Sequence, residues 1–319
     1  MKSSAKKTKK KVAILGATSH IAKGLIENFS KTSEYESYLY ARSTEKVSVF
    51  LEERGISKNM AIAAFDMFPL AEYDVVINCV GIGRPEKIEE VGFDIFTITE
   101  KFDNLVIDYL QKNRKCIYIN FSSGAVYGKN FIRPVDQGSI SSLNVNSIDI
   151  SDAYGLAKIN SEAKHRALQG YNIVDIRIFS YFSRDIDINS KFLLSEAISS
   201  INDNETLLTT EDDIIRDYIH PHDLFQLVAA CINKSGTNDV FDAYSKKPVT
   251  KFELFDLLAR KYNFKYKVKV GVGKDSSTGV KSIYYSKNHK AKTIGYNPKY
   301  TSVEAISDES SKMIRTNHE

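Results

Sequence analysis

The sequence predicts an α/β protein: a doubly wound parallel sheet with a smaller lobe interleaved toward the C-terminus. Three observations predict it. Strand-like runs and helical patterns alternate through the first 180 residues, an order that implies parallel strands joined by helical crossovers. The strand-like runs are almost continuously apolar, as strands covered on both faces are. After residue 180 the alternation loosens into polar loops and shorter segments.

Each element has its own warrant. Residues 12–15 are an apolar run that stops at Gly16, and residues 21–29 place apolar side chains at helical spacing. A second strand is expected at 38–41, a second helix at 44–53, and further strands at 60–65 and 73–79. Residues 96–110 read as a helix and 115–121 as a buried strand. The next helix, 151–168, starts at a plausible cap, Ser151 or Asp152. Strand character returns at 173–179. Beyond it, 185–213 holds one helical stretch (191–201) among polar loops, and 216–220 is a short extended segment. Helices are expected at 222–231, 252–262 and 302–314, with extended segments at 239–243 and 265–272. The domain reading follows: a basic tail (1–10), a sheet domain (11–180, with 216–243 returning to it), and a smaller lobe (181–215 and 244–319) that takes the substrate.

Composition narrows the function classes. A chain of 319 residues with 42% hydrophobic and 26% charged residues can bury a core without cross-links. Cys79, Cys116 and Cys231 are far apart and form no CxxC, so they read as buried thiols of a reducing, cytoplasmic compartment. His220 and His222 alternate along one segment, but nothing nearby completes a metal site. Lys2, Lys6, Lys7, Lys9, Lys10 and Lys11 crowd the start, and without these six the net charge goes from +4 to −2. The basic balance therefore belongs to the tail, read as a disordered solubilising extension; contact with RNA or an anionic membrane is the alternative. No apolar run is long enough to span a bilayer. The apolar stretch after the lysines is too short, and too broken by glycine, for a secretory signal.

Chemistry enters at the first turn, Gly16-Ala17-Thr18-Ser19-His20-Ile21-Ala22, between an apolar strand and an amphipathic helix. A dinucleotide-binding turn requires this context, which would make the sheet Rossmann-type. A pyrophosphate would rest on the amides of the new helix, over Gly16, Thr18, Ser19, His20 and Ile21. Ser19 and Ala22 replace the usual later glycines but are small enough for close approach. Tight helix–strand packing is the alternative use of such residues. The second strand ends Leu39-Tyr40-Ala41-Arg42-Ser43, with no acid to bond a ribose 2′-hydroxyl. Arg42 and Ser43 would suit a 2′-phosphate, favouring NADP(H) over NAD(H); a solvent-facing arginine is the other reading. Asp66, beside Met67, would accept from an adenine amino group, or simply open a turn.

A second constellation pairs Ser122-Ser123-Gly124-Ala125 at a strand end with Tyr154 and Lys158 on a helix. Positions i and i+4 share a helix face, so the ammonium lies near the phenol and favours its ionised form. Tyr154 then becomes a usable acid or base, and Ser123 would hold the oxygen whose proton moves. A solvated helix face with a half-buried tyrosine is the alternative.

Taken together these motifs resemble the extended short-chain dehydrogenase/reductase family of nucleotide-sugar epimerases, dehydratases and reductases. The resemblance runs from Lys11 to about Pro298. It rests on the glycine turn, on Asp74-Val-Val-Ile-Asn-Cys-Val-Gly81, on the serine strand and on Tyr154-Gly-Leu-Ala-Lys158. It extends through Arg177-Ile-Phe-Ser180, Arg216-Asp-Tyr-Ile-His-Pro-His-Asp223, and the pieces at 241–250 and 290–298. It implies that Tyr154 carries the proton, that Lys158 binds the nicotinamide ribose, and that Ser123 holds the sugar oxygen. It places Cys79, Val80, Gly81 and Phe179 beside the cofactor. Gly124, Ser180 and Arg216 would meet the substrate, with Arg216 on the nucleotide diphosphate.

Two departures inform the reading. The family's dehydratases carry Asp-Glu where this chain has Gly124 and Ala125, which argues against dehydration. Ser180 stands where sugar epimerases often have Asn. The expectation is a cytoplasmic NADP-dependent reductase of a nucleotide-linked 4-keto sugar. An NAD-dependent C4 epimerase is the alternative, and a non-catalytic dinucleotide sensor a third reading. Family precedent also implies a homodimer, built on helices 96–110 and 151–168. No nucleic-acid partner and no metal are expected. The loops at 82–95, 129–150 and 181–215 carry no readable code for the sugar.

Overall fold

A computed structural model describes residues 8–56, 60–234, 236–270 and 281–314. The chain opens with β1 (Lys10–Leu15), whose last four residues are fully covered. Helix α1 (His20–Ser30) follows, capped by the Ser19 hydroxyl, which accepts from the Ala22 amide at 3.3 Å. Next come β2 (Tyr35–Tyr40), α2 (Thr44–Glu53), β3 (Met60–Ala63) and β4 (Val75–Asn78). Helices α3 (Pro85–Val91) and α4 (Asp94–Lys112) lead to β5 (Ile117–Ser123), buried at every position. Then come α5 (Ile150–Ala167), β6 (Asn172–Ile178) and β7 (Ser180–Tyr181). The chain continues through α6 (Leu193–Asn202), β8 (Thr206–Thr210), β9 (Ile215–Arg216) and β10 (Tyr218–Ile219). It proceeds through α7 (Pro221–Asn233), β11 (Asn238–Asp242), β12 (Val249–Thr250) and α8 (Lys251–Tyr262). It closes with β13 (Lys265–Lys269), β14 (Ile283–Tyr284) and α9 (Ser302–Ser310).

Seven strands form one sheet in the order β11-β6-β5-β4-β1-β2-β3, with every pairing parallel. Helices α1, α2 and α7 cover one face, where Leu25, Phe50 and Leu227 meet Ile14, Ile77 and Ile119. Helix α4 covers the other, where Val106 and Leu110 meet Ala13, Val76 and Tyr118. Strand order reverses between β1 and β4, which opens a crevice at their C-terminal ends. A second core joins Phe182, Leu194 and Ile198 to Leu254, Phe255 and Ile306. Among the described residues no helix is long and apolar enough to cross a membrane.

Several boundaries differ from expectation. Lys10, assigned to the tail, is the first residue of β1, its amide donating to Glu34 O at 2.9 Å; residues 1–7 lie outside the described residues. The strand expected at 60–65 ends at Ala63, and Phe65–Leu70 form a 3-10 turn around Pro69. Helix α5 is capped by Asp149 rather than Ser151 or Asp152, with Asp152 closing a reciprocal capping box. The polar loops expected before residue 213 contain β8, which gains its ladder only by pairing with β13. The extended segment expected at 265–272 ends as a strand at Lys269, and 271–272 lie outside the described residues. The last helix, expected to reach 314, stops at Ser310.

Candidate active site

The crevice is built from the glycine turn outward. Gly16 has φ +78°, and a Cβ there would lie 2.9 Å from both the Cys79 carbonyl carbon and the Val80 nitrogen. Only glycine lets the turn rest on the end of β4 in this way. The first-turn amides of His20 and Ile21 have no intrahelical acceptor, and the helix field there favours an anion. Thr18 is exposed beside them. The His20 ring packs edge-on against Tyr181 at 4.8 Å, and burial pushes its pKa down to about 4. This small-residue turn with free amides fits a dinucleotide pyrophosphate.

The adenosine-side expectations land at the ends of β2 and β3. Arg42 is exposed just after β2. The Ser43 hydroxyl is engaged as the N-cap of α2, accepting from the Lys46 amide at 3.3 Å. Asp66 and Met67 lie in the 3-10 turn after β3, both exposed. Burial pushes the Cys79 thiol well up, so it remains a neutral wall residue.

The serine strand and α5 meet across the same crevice. Ser123 ends β5; its Oγ accepts from the Ala125 amide at 3.2 Å and lies 3.3 Å from Tyr284 Oη. Lys158 is buried, and its ammonium donates to Phe121 O at 2.9 Å. A Cβ built on Gly81 would lie 3.7 Å from that ammonium, so the end of β4 faces Lys158. Tyr154, one turn earlier on α5, is half-buried against the cluster of Ile88, Ile95, Ala153 and Ala157. Its phenol is within electrostatic reach of Tyr284. The structure therefore gathers Ser123, Tyr154 and Lys158 around Tyr284 and Gly81.

Gly124 and Phe179 pack against one another. A Cβ on Gly124 would lie 2.4 Å from the Phe179 ring, so glycine lets that ring cover the turn. Phe179 forms an aromatic wall with Tyr127, Phe131 and Tyr284. Ser180 begins β7, half-buried, opposite Tyr218.

Arg216 sits on β9, donating to Ile215 O at 2.8 Å and Lys281 O at 2.7 Å. Its guanidinium lies 5.8 Å from the centre of the Tyr284 ring, and the Lys281 ammonium lies 4.7 Å from the same ring. Among the described residues, neither cation has a carboxylate partner. Burial and the Arg216 charge push Lys281 down to about 8. Burial likewise lowers Arg216. Two neighbouring cations held without a counter-charge suit a polyanion. Lys281 and Tyr284 were not foreseen: Tyr284 is 161 residues from Ser123, and no local pattern announces the contact.

His220, Asp308 and Glu309 form a further group. His220 Nδ1 accepts from the His222 amide at 3.0 Å, so Nε2 carries the proton that it shares with Asp308 at 3.0 Å. Lys312 neutralises both carboxylates, at 2.7 and 2.6 Å. The group is a satisfied ion-pair cluster.

The sequence profile of the NAD dependent epimerase/dehydratase family matches residues 12–244. No curated protein matches the chain by sequence. Among solved structures, a UDP-glucuronic acid 4-epimerase variant from Bacillus cereus, in complex with a fluorinated UDP-sugar and NAD, superposes with a TM-score of 0.78. That match has 15% identity and covers 95% of this chain and 98% of that chain. The UDP-N-acetylglucosamine 4-epimerase of Methanobrevibacter ruminantium gives a TM-score of 0.78 at 16% identity, covering 95% and 98%. The dTDP-glucose 4,6-dehydratase of Bacillus anthracis, in complex with NAD, gives 0.75 at 12%, covering 95% and 96%. At such identities the structural likeness concerns the fold. The profile match extends over well more than half of the sequence, and the chain belongs to the NAD dependent epimerase/dehydratase family.

Proposed function

We propose that the protein is a nucleotide-sugar epimerase that oxidises and re-reduces C4 of its substrate with a held NAD. One observation carries the reading: Tyr284 has Ser123 Oγ 3.3 Å from its hydroxyl, and around its ring lie Arg216 and Lys281, which have no carboxylate partner among the described residues. A diphosphate on the two cations would leave the attached sugar to reach Ser123, Tyr154 and the face of Gly81. In that arrangement Ser123 fixes the reacting hydroxyl, and Tyr154 takes its proton and returns it. Lys158, anchored on Phe121 O, presents its remaining N–H groups toward Gly81, where the nicotinamide ribose would lie. The cofactor supplies the hydride chemistry when bound. Gly124 and Ala125, in place of an acid–base pair, leave dehydration without its proton carriers. The three buried thiols suit a reducing cytoplasm.

NAD is favoured over the NADP expected from the sequence. The similar folds are recorded with NAD. The exposed Arg42 supports one competing reading, an NADPH-dependent 4-ketoreductase of the same substrate class. Denaturing the purified protein and identifying the released nucleotide separates the two. Epimerisation predicts stoichiometric NAD and turnover without added cofactor; protein that is nucleotide-free and consumes NADPH stoichiometrically with a keto-sugar would overturn it.

A further inference from the structure

A buried chain of hydrogen bonds, unused by the chemistry above, runs from the crevice into the protein interior. It starts at the Val80 peptide. That peptide lies between the glycine turn, 2.9 Å from a Cβ built on Gly16, and Gly81, which faces Lys158. The Val80 amide donates to Asn78 Oδ1 at 3.0 Å. Asn78 Nδ2 donates to Tyr118 Oη at 3.1 Å, and Tyr118 Oη donates to Asp103 Oδ1 at 2.8 Å. Asp103 also accepts from His165 Nε2 at 2.7 Å and pairs with Lys164 at 2.7 Å. His165 Nδ1 reaches Asp175 at 2.9 and 3.0 Å, where Asn120 and Arg166 also donate, at 2.8 and 2.9 Å.

Donor and acceptor counting fixes the direction of every link. Carboxylates only accept, so both nitrogens of the fully buried His165 must donate, and the ring is an imidazolium. Burial opposes that charge, but Asp103 and Asp175 outweigh it and raise the pKa to about 9. The single Tyr118 proton goes to Asp103, so Tyr118 Oη can only accept from Asn78. The Asn78 amide is thereby locked with Oδ1 toward Val80. Flipped, it would set Nδ2 against the Val80 N–H, donor to donor. His165 also lies two turns beyond Lys158 on the same face of α5, so the catalytic helix and the cofactor-side peptide hang from one buried network.

We propose that Tyr118 is a positioning residue for the cofactor: its hydroxyl transmits the register of the Asp103–His165 pair to the Asn78 amide, and so holds the Cys79–Val80 peptide, next to Gly81, at the nicotinamide half of the crevice. The proposal rests on reading this crevice as the dinucleotide site. Tyr118 itself touches no ligand. It is fully buried, so Tyr118→Phe keeps its ring packing and removes only the hydroxyl.

The test compares NAD with ADP, which lacks the nicotinamide half, by calorimetric titration of the full chain well below its melting temperature. Tyr118→Phe is expected to weaken NAD about five- to tenfold, the size of one lost neutral hydrogen bond, and to leave ADP unchanged. Asn78→Ala, which spares the Asp103–His165 pair, is expected to show the same selective loss and serves if Tyr118→Phe does not fold. Equal losses for NAD and ADP, or no loss for either, would show that the network only stabilises the fold, and would overturn the proposal. A wild-type protein that binds neither NAD nor NADP would overturn the reading of the crevice, and the proposal with it. Wild-type binding matched by both variants would overturn the role of Tyr118 alone.

Discussion

At Lys281, burial and the adjacent Arg216 charge hold the ammonium down to about 8. A lysine lowered in this way loses its charge within the ordinary working range, and with it half of the cationic pair. An arginine in its place stays protonated. The sign is direct: as pH rises through about 8, Lys281 becomes neutral and a diphosphate is held less well. We expect kcat/KM for the nucleotide sugar, which reports the free enzyme, to decline above about pH 8 in wild type. Lys281→Arg should hold its value through the same range. An identical profile in both proteins would remove Lys281 from the substrate site. Lys281 was hidden in the sequence, although Arg216 was expected to meet a diphosphate. Ser123, Tyr154 and Lys158 announce themselves by short-range spacing, whereas the Lys281–Arg216 pair exists only after β14 has docked beside β9.

Among the elements, α5 presents Tyr154 and Lys158 and depends on its first turn. Asp149 accepts from the Ser151 amide at 2.8 Å, Asp152 accepts from the Asp149 amide at 3.1 Å, and Lys129 bridges both carboxylates at 2.8 and 3.1 Å. Tyr154 begins the second turn, so fraying of this end would move the phenol before it moved Lys158, which is held deeper by Phe121 O. Asp149→Ala should lower the melting temperature by a few degrees and reduce kcat more than it raises KM. A loss confined to KM would mean that the cap does not govern the phenol. The buried strands β1, β4, β5 and β6 were legible because a strand covered on both faces must be apolar throughout. Helix α3 was not: its seven residues, PEKIEEV, are too few and too charged to show a period. Strands β8, β9, β12 and β14 are two to five residues long and owe their existence to distant partners.

Across the whole molecule, the crevice draws on both halves of the chain. The sheet supplies the glycine turn, the end of β4 and the serine strand, while the later chain returns with Arg216, Lys281 and Tyr284. Residues 281–287 are laced to residues 131–135 by backbone bonds: Ile283 N to Phe131 O at 3.1 Å, Val135 N to Tyr285 O at 3.1 Å, and Lys287 N to Val135 O at 2.7 Å. The buried Asp242 anchors the same segment by accepting from Ser286 at 2.6 Å and from Tyr127 at 3.1 Å. The glycine turn and the set of Ser123, Tyr154 and Lys158 were legible in the sequence, because nearby residues on consecutive elements build them. The segment carrying Lys281 and Tyr284 was not, because Tyr284 meets Ser123 across 161 residues of chain.

The central claim is that Tyr154 moves the proton when a diphosphate-linked sugar is oxidised and re-reduced in this crevice. The measurement that tests it most directly is proton NMR of a nucleoside diphosphate-sugar panel incubated with wild type and with Tyr154→Phe, both shown to bind NAD equally. The account predicts interconversion of a C4 epimer pair by wild type and a rate about 10²- to 10⁴-fold lower in the variant. Near-normal interconversion by Tyr154→Phe, or no interconversion of any member by NAD-loaded wild type, would contradict it.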